Sequence, residues 1–157
     1  ESITTPKGVP LDVEIVRHPG SVVVVPVTSV GEIVLVRQYR HAIGRWAWEL
    51  PAGTLEPAED RARAAARECQ EEIGLIPDAL DPLGAFFPTP GYCDEEMAFY
   101  KATGLRVPGP HDERAAQDED EDIETGAFSV ERVHEMVRAG DIIDLKTVAG
   151  LALIERA

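Results

Sequence analysis

The spacing of apolar residues changes several times along the chain, and each change marks an element. Val22 to Val27 (VVVVPV) is a continuous β-branched run, the pattern of a strand buried on both faces. A turn over 28–31 separates it from Glu32 to Tyr39 (EIVLVRQY), a second strand, and the two together predict a hairpin. Upstream, Glu1 to Pro10 is polar and broken by Pro6, Gly8 and Pro10, so it reads as a loose lead-in. Leu11 to Val16 alternates as a strand would. From Ala58 to Ile73 the period becomes helical. At about 100° per residue, Ala58, Ala62, Ala65, Ala66, Cys69 and Ile73 share one flank, and Gly74 stands where a helix stops. Ile76 to Pro82 reads as a connector. Leu83 to Phe87 and Met97 to Thr103 read as strands, joined by a loop that Pro88, Pro90 and Gly91 stiffen. Residues 104–117 predict a loop, and Ile123 to Phe128 a strand. Val130 to Ala139 predicts a helix capped by Ser129 and stopped by Gly140, and Thr147 to Arg156 a last helix.

Composition narrows the class. A chain of 157 residues with 44% hydrophobic content suits one globular domain. Its net charge of −14, from 29 acidic and 15 basic residues, argues against a nucleic-acid partner, which would meet a basic face. An anionic small-molecule substrate is still compatible if a divalent metal neutralises the site locally. Cys69 and Cys93 give no disulfide framework, so a reducing, cytoplasmic compartment is expected. No apolar run approaches the ~18 residues that span a bilayer, and no secretory segment opens the chain, so no membrane partner is expected.

The chemistry concentrates between Gly53 and Leu75. Gly53 is followed after five residues by Glu59, and after seven more by Arg67-Glu68-Cys69-Gln70-Glu71-Glu72-Ile73-Gly74-Leu75. On a helix, Glu68 and Glu72 lie one turn apart with Glu71 beside them, so three carboxylates converge. Like charges at this spacing repel by a few tenths of a kcal/mol per pair. A hard cation such as Mg²⁺, with its preference for carboxylate oxygens, offsets that. A solvated acidic helix face is the bland alternative, but it leaves Gly53, Arg67 and Gly74 unexplained. Arg40, at a strand end, has two uses open to it: a phosphate clamp or a salt-bridged surface residue. Trp46 and Trp48 point to one face of a strand, as core residues or as a platform for a flat base. Pro51 and Gly53 shape a tight loop that brings the Ala52 carbonyl close to whatever the helix carboxylates bind.

These residues match the Nudix box at its fixed positions, with Cys69 where an aliphatic residue is usual. The chain resembles the Nudix hydrolases, most closely their ADP-ribose pyrophosphatase branch. Gln38-Tyr39-Arg40 and Glu49 to Gly53 look like that branch's approach to the box. Thr89-Pro90-Gly91 followed by Asp94-Glu95 looks like its Ser-Pro-Gly loop, with Thr in place of Ser. Pro90 falls 15 residues past Leu75, where a proline marks ADP-ribose specificity. Residues 119–123 resemble its acidic loop, and Asp141 to Ala149 the entry to its final helix.

The resemblance implies an α/β fold, the Nudix α/β/α sandwich with a mixed sheet, over residues 21–157. It also implies an N-terminal segment over 1–20 that is exchanged in a homodimer. Glu68, Glu71, Glu72, the Ala52 carbonyl and Glu121 would hold Mg²⁺, with Mn²⁺ as a substitute. Glu119 would act as general base, with Glu121 as its rival. Arg67 would orient a box carboxylate. Arg40 and Glu95 would contact substrate, Pro90 would mark the specificity loop, and Trp46 is the candidate for stacking a base. The reaction implied is hydrolysis of ADP-ribose to AMP and ribose 5-phosphate. Two alternatives stand beside it: a Nudix pyrophosphatase for other nucleoside diphosphate derivatives, and a sensor that binds ADP-ribose without cleaving it.

Overall fold

The computed structural model describes residues 1–112, 115 and 122–155. Its centre is β3 (Ser21–Pro26), in which every residue is buried. Successive valines on a strand point to opposite faces, and here both faces are covered. Val22 and Val24 pack with Ala64, Ala65, Cys69, Ala98 and Ala102. Val23 and Val25 pack with Ile33, Leu35, Leu50, Phe99, Val133, Met136 and Leu151. Each valine contributes roughly 1.5–3 kcal/mol by leaving water, which is why the run tolerates no polar residue.

Three further strands share a sheet with β3: β6 (Ala52–Thr54), β7 (Ala79–Phe86) and β8 (Met97–Thr103). They form a mixed sheet in the order β6-β3-β8-β7, with β3 and β8 parallel and the other pairs antiparallel. The helix α1 (Arg61–Ile73) covers one face. A second antiparallel sheet covers the other, built from β5 (Arg45–Glu49), β4 (Ile33–Arg40) and β9 (Glu124–Phe128). It is joined there by α2 (Val130–Ala139) and α3 (Leu145–Ile154). This is the expected α/β layering.

The predicted hairpin of β3 with β4 does not form. The chain does turn over 28–31, but the backbones pair only at the Val27–Ile33 bridge and the strands then part into different sheets. Both edges of β3 are already taken, by β6 and β8. The helix predicted from Ala58 starts at Arg61. Ala58 has a left-handed backbone (φ 63°), and Asp60 caps the helix by accepting from the amides of Ala62 and Arg63. The true buried flank is Ala64, Ala65, Glu68, Cys69 and Glu72. The connector expected over 76–82 is largely strand, because an edge strand accommodates Pro82 at a register shift. The lead-in is a small hairpin of β1 (Ser2–Thr4) and β2 (Pro10–Asp12), and the strand expected over 11–16 ends at Asp12. The last helix begins at Leu145, two residues earlier than expected, because Asp144 rather than a later residue caps it. Among the described residues, no helix is long and apolar enough to cross a membrane.

Cys69 lies wholly inside, against β3 and β8. Burial first, and the nearby Glu72 charge second, push its thiol up to about 12. Cys93 is partly exposed. A thiol titration of the folded protein near pH 8 is therefore expected to label one cysteine, Cys93, with Cys69 reacting only after denaturation. Labelling of both in the folded state would refute the packing described for α1.

Candidate active site

The box folds as a strand, a loop and a helix that meet at one point. Gly53 on β6 lies against the Glu68 side chain so closely that an added Cβ would sit 1.8 Å from Oε1. The glycine is there to make room. On α1, Glu68 and Glu72 are buried while Glu71 is half-buried. The amide of Ala52 donates to Glu72 Oε2 at 3.1 Å, which ties the loop to the helix.

Arg67 holds the carboxylates together. Its Nη1 donates to both Glu68 Oε1 and Glu71 Oε2, at 2.7 Å each. Its Nε and Nη2 grip Glu59 at 3.0 Å each, and Nη2 also reaches the Thr54 carbonyl at 3.3 Å. The Glu59 hydrogen bonds above all raise the guanidinium pKa, and the same bonds hold Glu59 below the ordinary carboxylate range. One cation thus offsets three carboxylates whose mutual repulsion would otherwise work against the helix.

A cavity of about 390 Å³ opens beside this cluster, lined by Arg40, Ala52, Gly53, Thr54, Glu56, Arg67, Glu68 and Glu71. The structure therefore brings together five of the residues singled out from sequence, Arg40, Ala52, Arg67, Glu68 and Glu71, with Glu72 tied to Ala52. Trp46, Pro90 and Glu95 do not line this cavity. Trp46 stacks edge-on against Tyr39, with the Arg37 guanidinium 5.0 Å from its ring. Trp48 packs on Phe128. Pro90 is exposed in the 87–96 loop. Glu95 accepts from the Ser21 hydroxyl at 2.8 Å. Glu119 and Glu121 lie outside the described residues.

Arg40 is salt-bridged and also lines the cavity. Its Nε and Nη2 donate to Glu49 at 2.8 and 2.6 Å. Glu49 was not picked out from sequence, although a glutamate between Trp48 and Leu50 on a strand is a signal of a paired buried charge. Burial pushes its pKa up, but the Arg40 hydrogen bond and the Lys146 charge outweigh that and leave it below the usual range. A depressed folded-state pKa stabilises the fold above the unfolded value, and that contribution is lost as pH falls through the folded value. Acid unfolding of Glu49→Gln is accordingly expected to be shallower than wild type below about pH 4.5, the ordinary glutamate range. Identical acid limbs would show that this pair does not contribute.

The NUDIX domain family matches residues 17–148. The chain belongs to the Nudix family. Two relatives support the enzyme class. The ADP-ribose pyrophosphatase of Bacillus subtilis (strain 168) is 34% identical over 155 residues, covering 99% of this chain and 82% of the relative. The ADP-ribose pyrophosphatase of Mycobacterium tuberculosis is 36% identical over 155 residues, covering 98% and 73%. A solved structure titled as an ADP compounds hydrolase superposes with a TM-score of 0.85 at 22% identity, covering 99% of this chain and 82% of that one, and shows the shared fold. The protein is a Nudix hydrolase.

Proposed function

We propose that this Nudix hydrolase cleaves the diphosphate of ADP-ribose to AMP and ribose 5-phosphate with the aid of Mg²⁺. The observation that carries the reading is the cavity that places Glu56, Glu68 and Glu71 beside two arginines. It is supported by the two relatives named for that activity.

Among the described residues, no three acidic, histidine or cysteine side chains are arranged around a single cation position. Arg67 is instead the cation that Glu68 and Glu71 share. The donor set still fits a hard divalent ion. All its side chains are carboxylates, which suit Mg²⁺ over softer metals. Arg67 keeps Glu59 through Nε and Nη2, so Nη1 can give up Glu68 and Glu71 without the guanidinium losing its anchor. Glu68, Glu71, Glu72 and the Ala52 carbonyl would hold the ion. Bound there, Mg²⁺ would neutralise diphosphate oxygens and polarise the phosphorus toward attack. The protein's own part is to fix those carboxylates with Gly53 and Arg67, and to meet the diphosphate with Arg40. Glu119 or Glu121 would take the proton of the attacking water.

The test is a panel with MgCl₂: ADP-ribose, a nucleotide sugar, a dinucleoside polyphosphate and NADH. AMP released preferentially from ADP-ribose, and lost with EDTA, is the expected result. Preference for another member would overturn the ADP-ribose reading and keep the diphosphate chemistry. Binding of ADP-ribose without cleavage would overturn the catalytic reading.

We further propose that the N-terminal segment 1–20 is completed by a second copy of the chain. Its hairpin leaves Ile3, Val9 and Leu11 exposed, and a lone two-stranded hairpin is marginal in water. Light scattering should give twice the 17.1 kDa chain mass, and a monomer at micromolar concentration would refute the exchange.

A further inference from the structure

An arginine that already has a carboxylate partner ordinarily has little to offer a substrate. Arg40 is built differently. Its Nε and Nη2 are spent on Glu49, while Nη1 has no hydrogen-bond partner among the described residues. Its side chain is 43% exposed and lines the cavity, whereas that of Glu49 is 3% exposed. Glu49 Oε2 also receives the ammonium of Lys146, which is itself 9% exposed. Lys146 pairs in turn with Asp144 Oδ2 at 3.0 Å.

The reason for a lysine at this position does not come from its helix. Lys146 lies in the first turn of α3, where the helix dipole disfavours a cation. Burial of Glu49 would be satisfied by Arg40 alone. Lys146, itself shared with Asp144, carries part of the Glu49 charge, so Arg40 is not the sole partner of Glu49 and keeps Nη1 for an external anion. The anchorage is rigid. Asp144 caps α3 by accepting from the Thr147 amide at 3.0 Å and the Thr147 hydroxyl at 2.6 Å. The fully buried Thr147 oxygen accepts from the Leu50 amide at 2.8 Å, next to Glu49 in the chain. Charges therefore alternate from the N-terminus of α3 through Asp144, Lys146 and Glu49 to Arg40 at the cavity.

We propose that Glu49 and Lys146 are positioning residues, which hold the Arg40 guanidinium so that Nη1 meets a diphosphate oxygen of the substrate. This rests on the reading of the cavity as a diphosphate site. Neither residue lines the cavity, and both act through Arg40.

The test is a set of double-mutant cycles. Arg40→Ala, Glu49→Gln and Lys146→Met are made singly and in pairs with Arg40→Ala. Each is read as Kd for inorganic pyrophosphate in MgCl₂ by calorimetry, which needs no turnover, and as KM and kcat for ADP-ribose. Losing one charge-assisted contact is expected to raise Kd and KM for Arg40→Ala by about tenfold or more, with a smaller change in kcat. Glu49→Gln should approach that value and Lys146→Met should give a several-fold rise. Neither should add to Arg40→Ala. If Glu49→Gln fails to fold, the Lys146→Met cycle carries the test. Effects that multiply in the Arg40→Ala background, or wild-type protein that does not bind pyrophosphate, would overturn the proposal. Non-additive pyrophosphate cycles in a protein that leaves ADP-ribose intact would uphold the positioning role and overturn only the substrate reading.

Discussion

Glu68→Gln is expected to abolish turnover while leaving the fold intact. The Glu68 carboxylate is the point where the box glycine, the box arginine and the cavity meet. Glutamine keeps its shape and removes its charge, so it still fits against Gly53. It also removes one member of a set of like charges, which relieves repulsion along α1. Thermal stability should therefore stay within a few degrees of wild type. The loss falls on chemistry. Charge stabilisation by a bound divalent ion is worth several kcal/mol, and at about 1.4 kcal/mol per tenfold this is about three decades in kcat. Activity and melting temperature measured side by side decide the matter. Turnover within a few-fold of wild type would remove Glu68 from the metal site.

What the sequence reveals here depends on whether the signal is local. The valine run announces a doubly buried strand because period and composition agree, and β3 is that strand. The Glu68, Glu71 and Arg67 grouping is visible because all three sit on one helix, where spacing is contact. The hairpin of β3 and β4 is misread because adjacency in sequence does not show that β6 and β8 claim both edges of β3. The start of α1 is misread because helical period continues through Ala58, whereas its left-handed backbone breaks the helix. Glu49 and Lys146 lie 97 residues apart, and no local pattern pairs them. What marks each of them is incongruity: a carboxylate directly after Trp48 and before Leu50, and a cation at the wrong end of a helix. Arg40 is salt-bridged to Glu49, as one of its two readings has it, and it also lines the cavity.

Gly53→Ala should disable the site almost as thoroughly as losing Glu68 itself. Gly53 does not have a left-handed backbone, so alanine is allowed there conformationally and the pairing of Val22 with Gly53 can persist. The difficulty is space. The new methyl would lie 1.8 Å from Glu68 Oε1, 2.0 Å from Cδ and 2.3 Å from Oε2. All three atoms belong to the end of a flexible side chain, so Glu68 yields by rotating away. The fold then gives up about 1 kcal/mol, an ordinary value for a point substitution. The site gives up more, because a displaced Glu68 leaves both Arg67 Nη1 and the cavity. A fall in kcat of roughly 100-fold or more is expected, by the same charge argument as for Glu68. The variant also makes a sharper claim than lost activity. If the methyl acts through Glu68, then adding Gly53→Ala to Glu68→Gln should change kcat little. Multiplying losses, or near-normal turnover in Gly53→Ala alone, would mean that the close approach of β6 to Glu68 is not what the box glycine is for.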